Sequence, residues 1–126
     1  MLYDDIGKQP MLEQLVACFY QLVYADPILR PIFPDDRQRV EQAQVIFLTH
    51  LTGGPRQYEL DDSRTNLAMI HRLLPIEQQH AFRWMELMEV AIYETLSNRA
   101  VAERLMERLR IGALNVLRIC EAHQEP

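Results

Sequence analysis

The 126-residue sequence is poor in lysine, cysteine, glycine and long apolar runs, and each shortage excludes something. Lys8 is the only lysine; the other twelve bases are arginines, and eighteen acids outnumber them for a formal net charge of −5. A nucleic-acid or anionic-membrane surface needs clustered basic residues, so neither partner is predicted. Cys18 and Cys120 sit in apolar helical patterns near opposite ends of the chain, in no CxxC pair and no Cys/His cluster. Zinc is therefore unsupported, and two buried thiols in a reducing compartment are expected. No stretch approaches the ~18 apolar residues of a membrane span. No basic-then-apolar segment opens the chain, so a soluble, cytoplasmic protein is predicted. The sequence also lacks a GxSxG elbow, a phosphate-cradling glycine loop and an HExxH pair. Its carboxylates fall mainly on polar faces, which singles out no acid/base couple. Strand signals are almost absent too, leaving helical spacing to organise the chain.

What is present is an ordinary globular composition, 48% apolar and 25% charged, in a length that makes one domain over residues 1–126. A first long helix is predicted from about Met11 to Ala25, with Pro10 at its first turn and Leu12, Leu15, Val16, Phe19, Leu22 and Val23 on one face. Asp26-Pro27 stops it, and Pro27, Pro31 and Pro34 turn the next segment into a tight corner. Asp35-Asp36 supplies the negative charge and side-chain cap that a helix N-terminus favours. The following helix carries Val40, Gln44, Phe47 and Leu51 and ends at Gly53-Gly54-Pro55. A polar loop (RQYELDDSRT) leads to a short helix from about Asn66 to Leu73, broken by Pro75. Two long helices follow. One runs from about Glu77 to Ser97, with Phe82, Met85, Met88, Ile92 and Leu96 on one side; the other runs from about Arg99 to Glu121, carrying Val101, Leu105, Leu109, Val116 and Cys120. The fold class is all-α, with four main helices around one core.

Several polar side chains fall where this periodicity calls for apolar ones. Gln44 interrupts the stripe of Val40, Phe47 and Leu51, and an unpaired buried amide costs roughly 1–3 kcal/mol. Tyr20 lies beside Phe19 on the inward side of the first long helix. Trp84 lies beside the buried face of a later one, with a donor-only indole N–H. Each has an ordinary structural explanation: a core aromatic whose polar tip reaches the surface, or a glutamine bonding between helices. His71, flanked by Ile70, Leu73 and Leu74, is either a satisfied boundary histidine or a metal or cofactor ligand. His50 in a last helical turn, His80 in a polar cluster and His123 in the tail compete less well.

Together these residues resemble a known family. Phe19-Tyr20 within CFYQLVYADPILRPIFPDD, the segment FLTHLTGGPRQY, His71 and Trp84 are similar to the truncated haemoglobins, the 2-on-2 α-helical globins, and most like group II. The resemblance covers about Tyr3 to Leu96. His71 follows Pro55 by sixteen residues and Trp84 follows His71 by thirteen, which fits that pattern without a gap. It implies a truncated globin-like sandwich holding a b-type haem, with His71 as the proximal iron ligand and Phe33 packed on the haem face. Tyr20, Gln44 and Trp84 would line the distal side as hydrogen-bond donors. Val40 would take the place of a distal histidine and leave the sixth position open. Phe47, Leu67, Leu74 and Ile76 would complete the apolar walls. Ser63-Arg64-Thr65 stands where a Gly-His-Pro segment is common, and Ala68 and Ile70 stand where arginines usually flank the proximal histidine. Propionate partners are then sought in Arg72, Arg64 and Tyr58.

The reading this favours is reversible binding of O2, CO and NO. Three donors around a ligand carrying partial negative charge predict slow O2 release, which suits scavenging, sensing or redox work better than bulk oxygen transport. A second reading is NO dioxygenation or peroxide reduction at the same iron. That would need an external reductase, since no flavin- or NAD-binding segment is present. A third is a haem-free interaction module that has kept the fold. In that case Tyr20, Gln44 and Trp84 should bond one another or buried water. The resemblance does not decide between monomer and homodimer.

Overall fold

The computed structural model describes residues 1–55 and 77–124, with side chains in the last helix through Leu114 and at Arg118. Among them are five α-helices: α1 (Leu2–Ile6), α2 (Lys8–Tyr24), α3 (Arg37–Leu51), α4 (Gln78–Thr95) and α5 (Arg99–Gln124), with a 3-10 turn at Arg30–Ile32. No strand occurs among the described residues, in keeping with the all-α reading. The predicted short helix over Asn66 to Leu73 and the loop before it lie outside the described residues. No helix among the described residues is long and apolar enough to cross a membrane.

The layout follows from which faces are apolar. Leu12, Leu15, Val16, Phe19 and Val23 of α2 are all buried, with Leu22 half-buried on the flank. That stripe is wide enough for α2 to pack on both α3 and α4, while α4 packs in turn on α5. Two helix pairs, α2 with α3 and α4 with α5, are thereby stacked through α2 and α4. Met88, Ala91 and Ile92 of α4 and Val101, Ala102, Leu105 and Leu109 of α5 close the same core.

Three expectations are corrected. The first long helix begins at Lys8, so Pro10 is its third residue, where the proline ring costs no intrahelical bond; a separate α1 precedes it because Leu2 and Ile6 bury against α2 and α5. Phe82 is 54% exposed, because it lies around the helix from the Met88–Ile92 stripe. Cys18 is half-buried, not sealed: its Sγ donates to Glu94 Oε2 at 3.6 Å across the α2–α4 contact. The Cys120 side chain lies outside the described residues.

The helix ends behave as the sequence chemistry requires. Asp36 Oδ1 accepts the N–H of Arg39 at 3.2 Å and caps α3. Asn98 Oδ1 accepts the N–H of Val101 at 3.2 Å at the start of α5. The far end of α3 needs both glycines that follow it. Gly53 has φ +90, and a Cβ on Gly54 would stand 2.6 Å from the Tyr3 ring and 2.7 Å from the Thr49 methyl. This close approach lets the N–H of Tyr3 donate to Thr52 O at 2.9 Å, docking α1 on the end of α3. Arg108 of α5 donates to Leu51 O at 2.9 Å at the same place.

Candidate functional site

Tyr20 stands at the centre of the α2 stripe, 2% exposed, with its ring edge-on to Phe19 at 4.8 Å and to Phe33 at 5.7 Å. Its hydroxyl donates to Gln44 Oε1 of α3 at 3.3 Å, long for an O–H···O bond. Burial, reinforced by Tyr24 and Glu41, pushes this phenol far above its ordinary pKa. It therefore stays protonated and remains a donor. Gln44 is 8% exposed; with its carbonyl facing Tyr20, its Nε2 carries two N–H groups with no acceptor among the described residues. Trp84 of α4 packs edge-on against Phe19 at 5.2 Å, half-buried, and its indole N–H likewise has no acceptor among the described residues. Of the bonds among Tyr20, Gln44 and Trp84 that a haem-free module calls for, Tyr20–Gln44 is present; the amide N–H groups and the indole N–H have no acceptor among the described residues.

The apolar members of the predicted site share one property. Phe33, Val40, Phe47 and Trp84 all pack against the core, yet each remains half-buried, whereas Phe19 and Leu48 beside them are sealed. Val40, Gln44 and Phe47 follow one another at four and three residues and so share one face of α3. That face is half apolar wall and half unspent donor. The structure thus joins Tyr20 to Phe33 and Gln44, sets Val40 and Phe47 on the Gln44 face of α3, and packs Trp84 on Phe19, the neighbour of Tyr20 in sequence. Tyr58, Leu67, His71, Arg72, Leu74 and Ile76 lie outside the described residues.

Phe33 owes its place to the corner. The 3-10 turn ends on it, Arg30 Nη1 donates to its carbonyl at 2.9 Å, and Tyr24 Oη donates to Pro34 O at 2.6 Å. The Arg30 guanidinium covers the Tyr24 ring at 4.9 Å and the Arg37 guanidinium approaches it at 5.7 Å. Arg30 is paired with Asp35 and Arg37 with Glu41. The corner is therefore held by ring stacking, cation–π contact and charge at once.

In the sequence Asp26 is only a helix stop; the structure gives it more to do. Its side chain is 3% exposed; Oδ2 accepts the N–H groups of Ile28 and Leu29 at 3.1 and 3.0 Å, and Oδ1 accepts from Arg83 Nε at 2.8 Å. Burial works to raise this carboxyl's pKa, but Arg83 and the two N–H groups together hold it below the ordinary value. Asp26 thus ties the corner that carries Phe33 to the turn of α4 that carries Trp84. The signal for it was the Asp-Pro dipeptide at a helix end, where an Asp oxygen commonly bonds N–H groups two and three residues on. Its partner Arg83, fifty-seven residues away, left no local mark.

Comparison with known proteins places this geometry. The bacterial-like globin family matches residues 1–117. Group 2 truncated hemoglobin YjbI of Bacillus subtilis is 33% identical over 120 residues, spanning 95% of this chain and 90% of the relative. The crystal structure of the group II truncated hemoglobin from Bacillus anthracis is 32% identical with a TM-score of 0.85, over 93% of this chain and 90% of that one. The truncated oxygen-avid haemoglobin from Bacillus subtilis is 33% identical with a TM-score of 0.84, over 92% of this chain and 98% of that one.

Proposed function

The chain belongs to the bacterial-like globin family and has the truncated, 2-on-2 globin fold; on that premise we propose that it holds a b-type haem through His71 and binds O2, CO and NO reversibly. When bound, haem supplies an iron centre with one position open to a diatomic ligand. The observation that carries the reading is the Gln44 amide, buried at 8% exposure with both N–H groups unspent among the described residues. A domain of this size would ordinarily fill that position with an apolar residue, because a buried donor without an acceptor costs roughly 1–3 kcal/mol. A diatomic ligand that draws electron density becomes the missing acceptor.

The chain's own groups divide the work. Gln44 Nε2 and Trp84 Nε1 would donate to a bound ligand, and Tyr20 Oη, loosely held at 3.3 Å by Gln44, could turn to do the same. Phe33, Val40 and Phe47, with Leu67, Leu74 and Ile76, would form the apolar wall that excludes water and strengthens those bonds. Val40 offers no ring nitrogen and so would supply no iron ligand from α3. Arg72, Arg64 and Tyr58 would pair with the haem carboxylates. The Bacillus subtilis haemoglobin described as oxygen-avid is consistent with slow O2 release from such a donor set. We place the protein in the cytoplasm, as a scavenger or sensor of diatomic gas.

The test is haem stoichiometry. His71→Ala is expected to lose equimolar haem while the helical circular dichroism of the chain is retained in large part. Unchanged haem content in that variant would remove His71 as the ligand.

A further inference from the structure

Five aromatic rings form one unbroken series across α2. Trp84 meets Phe19 at 5.2 Å, Phe19 meets Tyr20 at 4.8 Å, and Tyr20 meets Tyr24 at 6.3 Å, with Phe33 filling the angle between the two tyrosines at 5.7 and 6.2 Å. Aromatic pairs are common in cores and need no function. This series differs in its ends. Trp84 begins it half-buried on α4, its indole N–H without an acceptor among the described residues; Tyr24 ends it half-buried at the corner, one turn of α2 beyond Tyr20. Three of its members, Trp84, Tyr20 and Tyr24, bear the side chains that give up one electron most readily, and the two phenylalanines fill the gaps between them.

We propose that this series is a one-electron route that carries an oxidising equivalent from Trp84, beside the ligand site, out to Tyr24, where small phenols or ascorbate-type reductants can quench it.

The step balances on the chain's own atoms. Trp84, having lost one electron to hydrogen peroxide and its Nε1 proton to solvent, takes an electron along the series and a proton from solvent. Tyr24 gives up that electron and releases its phenolic proton to water. An external reductant then returns one electron and one proton to Tyr24. Two such passes, with two protons from solvent, reduce one molecule of hydrogen peroxide to two of water. Tyr20 relays and does not store the radical, because its hydroxyl is sealed and its one partner among the described residues is the weakly basic carbonyl of Gln44. Tyr24 can store it: its hydroxyl lies at the exposed carbonyl of Pro34, 2.6 Å away, at the edge of solvent. The two guanidiniums over its ring would oppose a positive hole, but Asp35 and Glu41 pair with them, and loss of the proton leaves a neutral radical.

The biological use of the route, though not the route itself, rests on the haem reading, so the test is made without relying on haem. Trp84 is the sole tryptophan. Pulse radiolysis of the full-length chain as purified, with azidyl radical as the oxidant, generates the indolyl radical there. Its decay should be first order, independent of protein concentration, and matched by growth of a phenoxyl band. That growth should be lost in Tyr24→Phe, slowed in Tyr20→Phe and retained in Tyr93→Phe. A phenoxyl yield unchanged in Tyr24→Phe, or a decay rate proportional to protein concentration, would overturn the proposal. In haem-loaded protein, hydrogen peroxide followed by spin trapping and peptide mass spectrometry should place the radical on Tyr24; trapping at Trp84 alone would overturn it. A chain that carries no haem yet transfers the electron to Tyr24 contradicts the haem reading and leaves the route standing.

Discussion

Trp84 and Gln44 share a property that ordinary core residues avoid: each carries a side-chain N–H donor, half-buried or buried, that bonds to nothing among the described residues. A hydrogen bond to a charge-bearing ligand is worth about 1.5–3 kcal/mol, or one to two orders of magnitude in its dissociation. Trp84→Phe should therefore accelerate O2 release by roughly 10- to 100-fold, measured by stopped-flow replacement with carbon monoxide; an unchanged rate would strike Trp84 from the donor set. Gln44→Leu separates function from stability. Leucine removes a buried amide whose N–H groups have no acceptor among the described residues, so the unfolding free energy from urea titration should stay within about 1 kcal/mol of the parent or rise, while O2 release quickens. A large loss of stability with unaltered release would mean that Gln44 is there for the Tyr20 bond alone.

The corner between α2 and α3 and the first turns of α4 are joined through Asp26, and this junction sets the distance between Phe33 and Trp84. The folded carboxyl of Asp26 is held below its ordinary value of 3.8, so the stability it contributes is fully present above that pH and is lost as pH falls through the folded value. Arg83 is about one-third exposed, which discounts its share. Asp26→Asn should cost about 1–3 kcal/mol near neutral pH and progressively less as the pH falls below the carboxyl's ordinary range, by urea unfolding across a pH series. A cost independent of pH would mean that the amide fails for shape and not for charge. The end of α3 makes a second demand. Gly54→Ala drives a methyl to 2.6 Å from the Tyr3 ring, so α1 must shift, at about 1–3 kcal/mol by thermal unfolding. A neutral result would show that α1 contributes little.

Over the whole chain, what could be read from the sequence was whatever repeats locally. The α2 stripe, the Asp36 cap and the Gly53–Gly54 stop each depend on neighbours within a turn or two, and the structure returns them. Tyr20, Gln44 and Trp84 were legible for the opposite reason, as polar breaks in an apolar rhythm. Three features were not legible, and all are long-range. Phe82 fits a helical spacing that Met88 and Ile92 claim first. α1 is too short to announce itself and exists because α2 and α5 cover Leu2 and Ile6. The Asp26–Arg83 pair spans fifty-seven residues. The arginine bias acquired a reason only in three dimensions: Arg30, Arg37 and Arg108 each reach a backbone carbonyl, at Phe33, Ala17 and Leu51, which suits a forked guanidinium better than an ammonium. The claim on which the account depends is an open-site haem in this pocket, and one optical experiment addresses it: the spectrum of the purified protein oxidised, reduced and then under carbon monoxide. An intense Soret band that shifts sharply on adding carbon monoxide is the predicted result. A spectrum that stays featureless even after added hemin would contradict it.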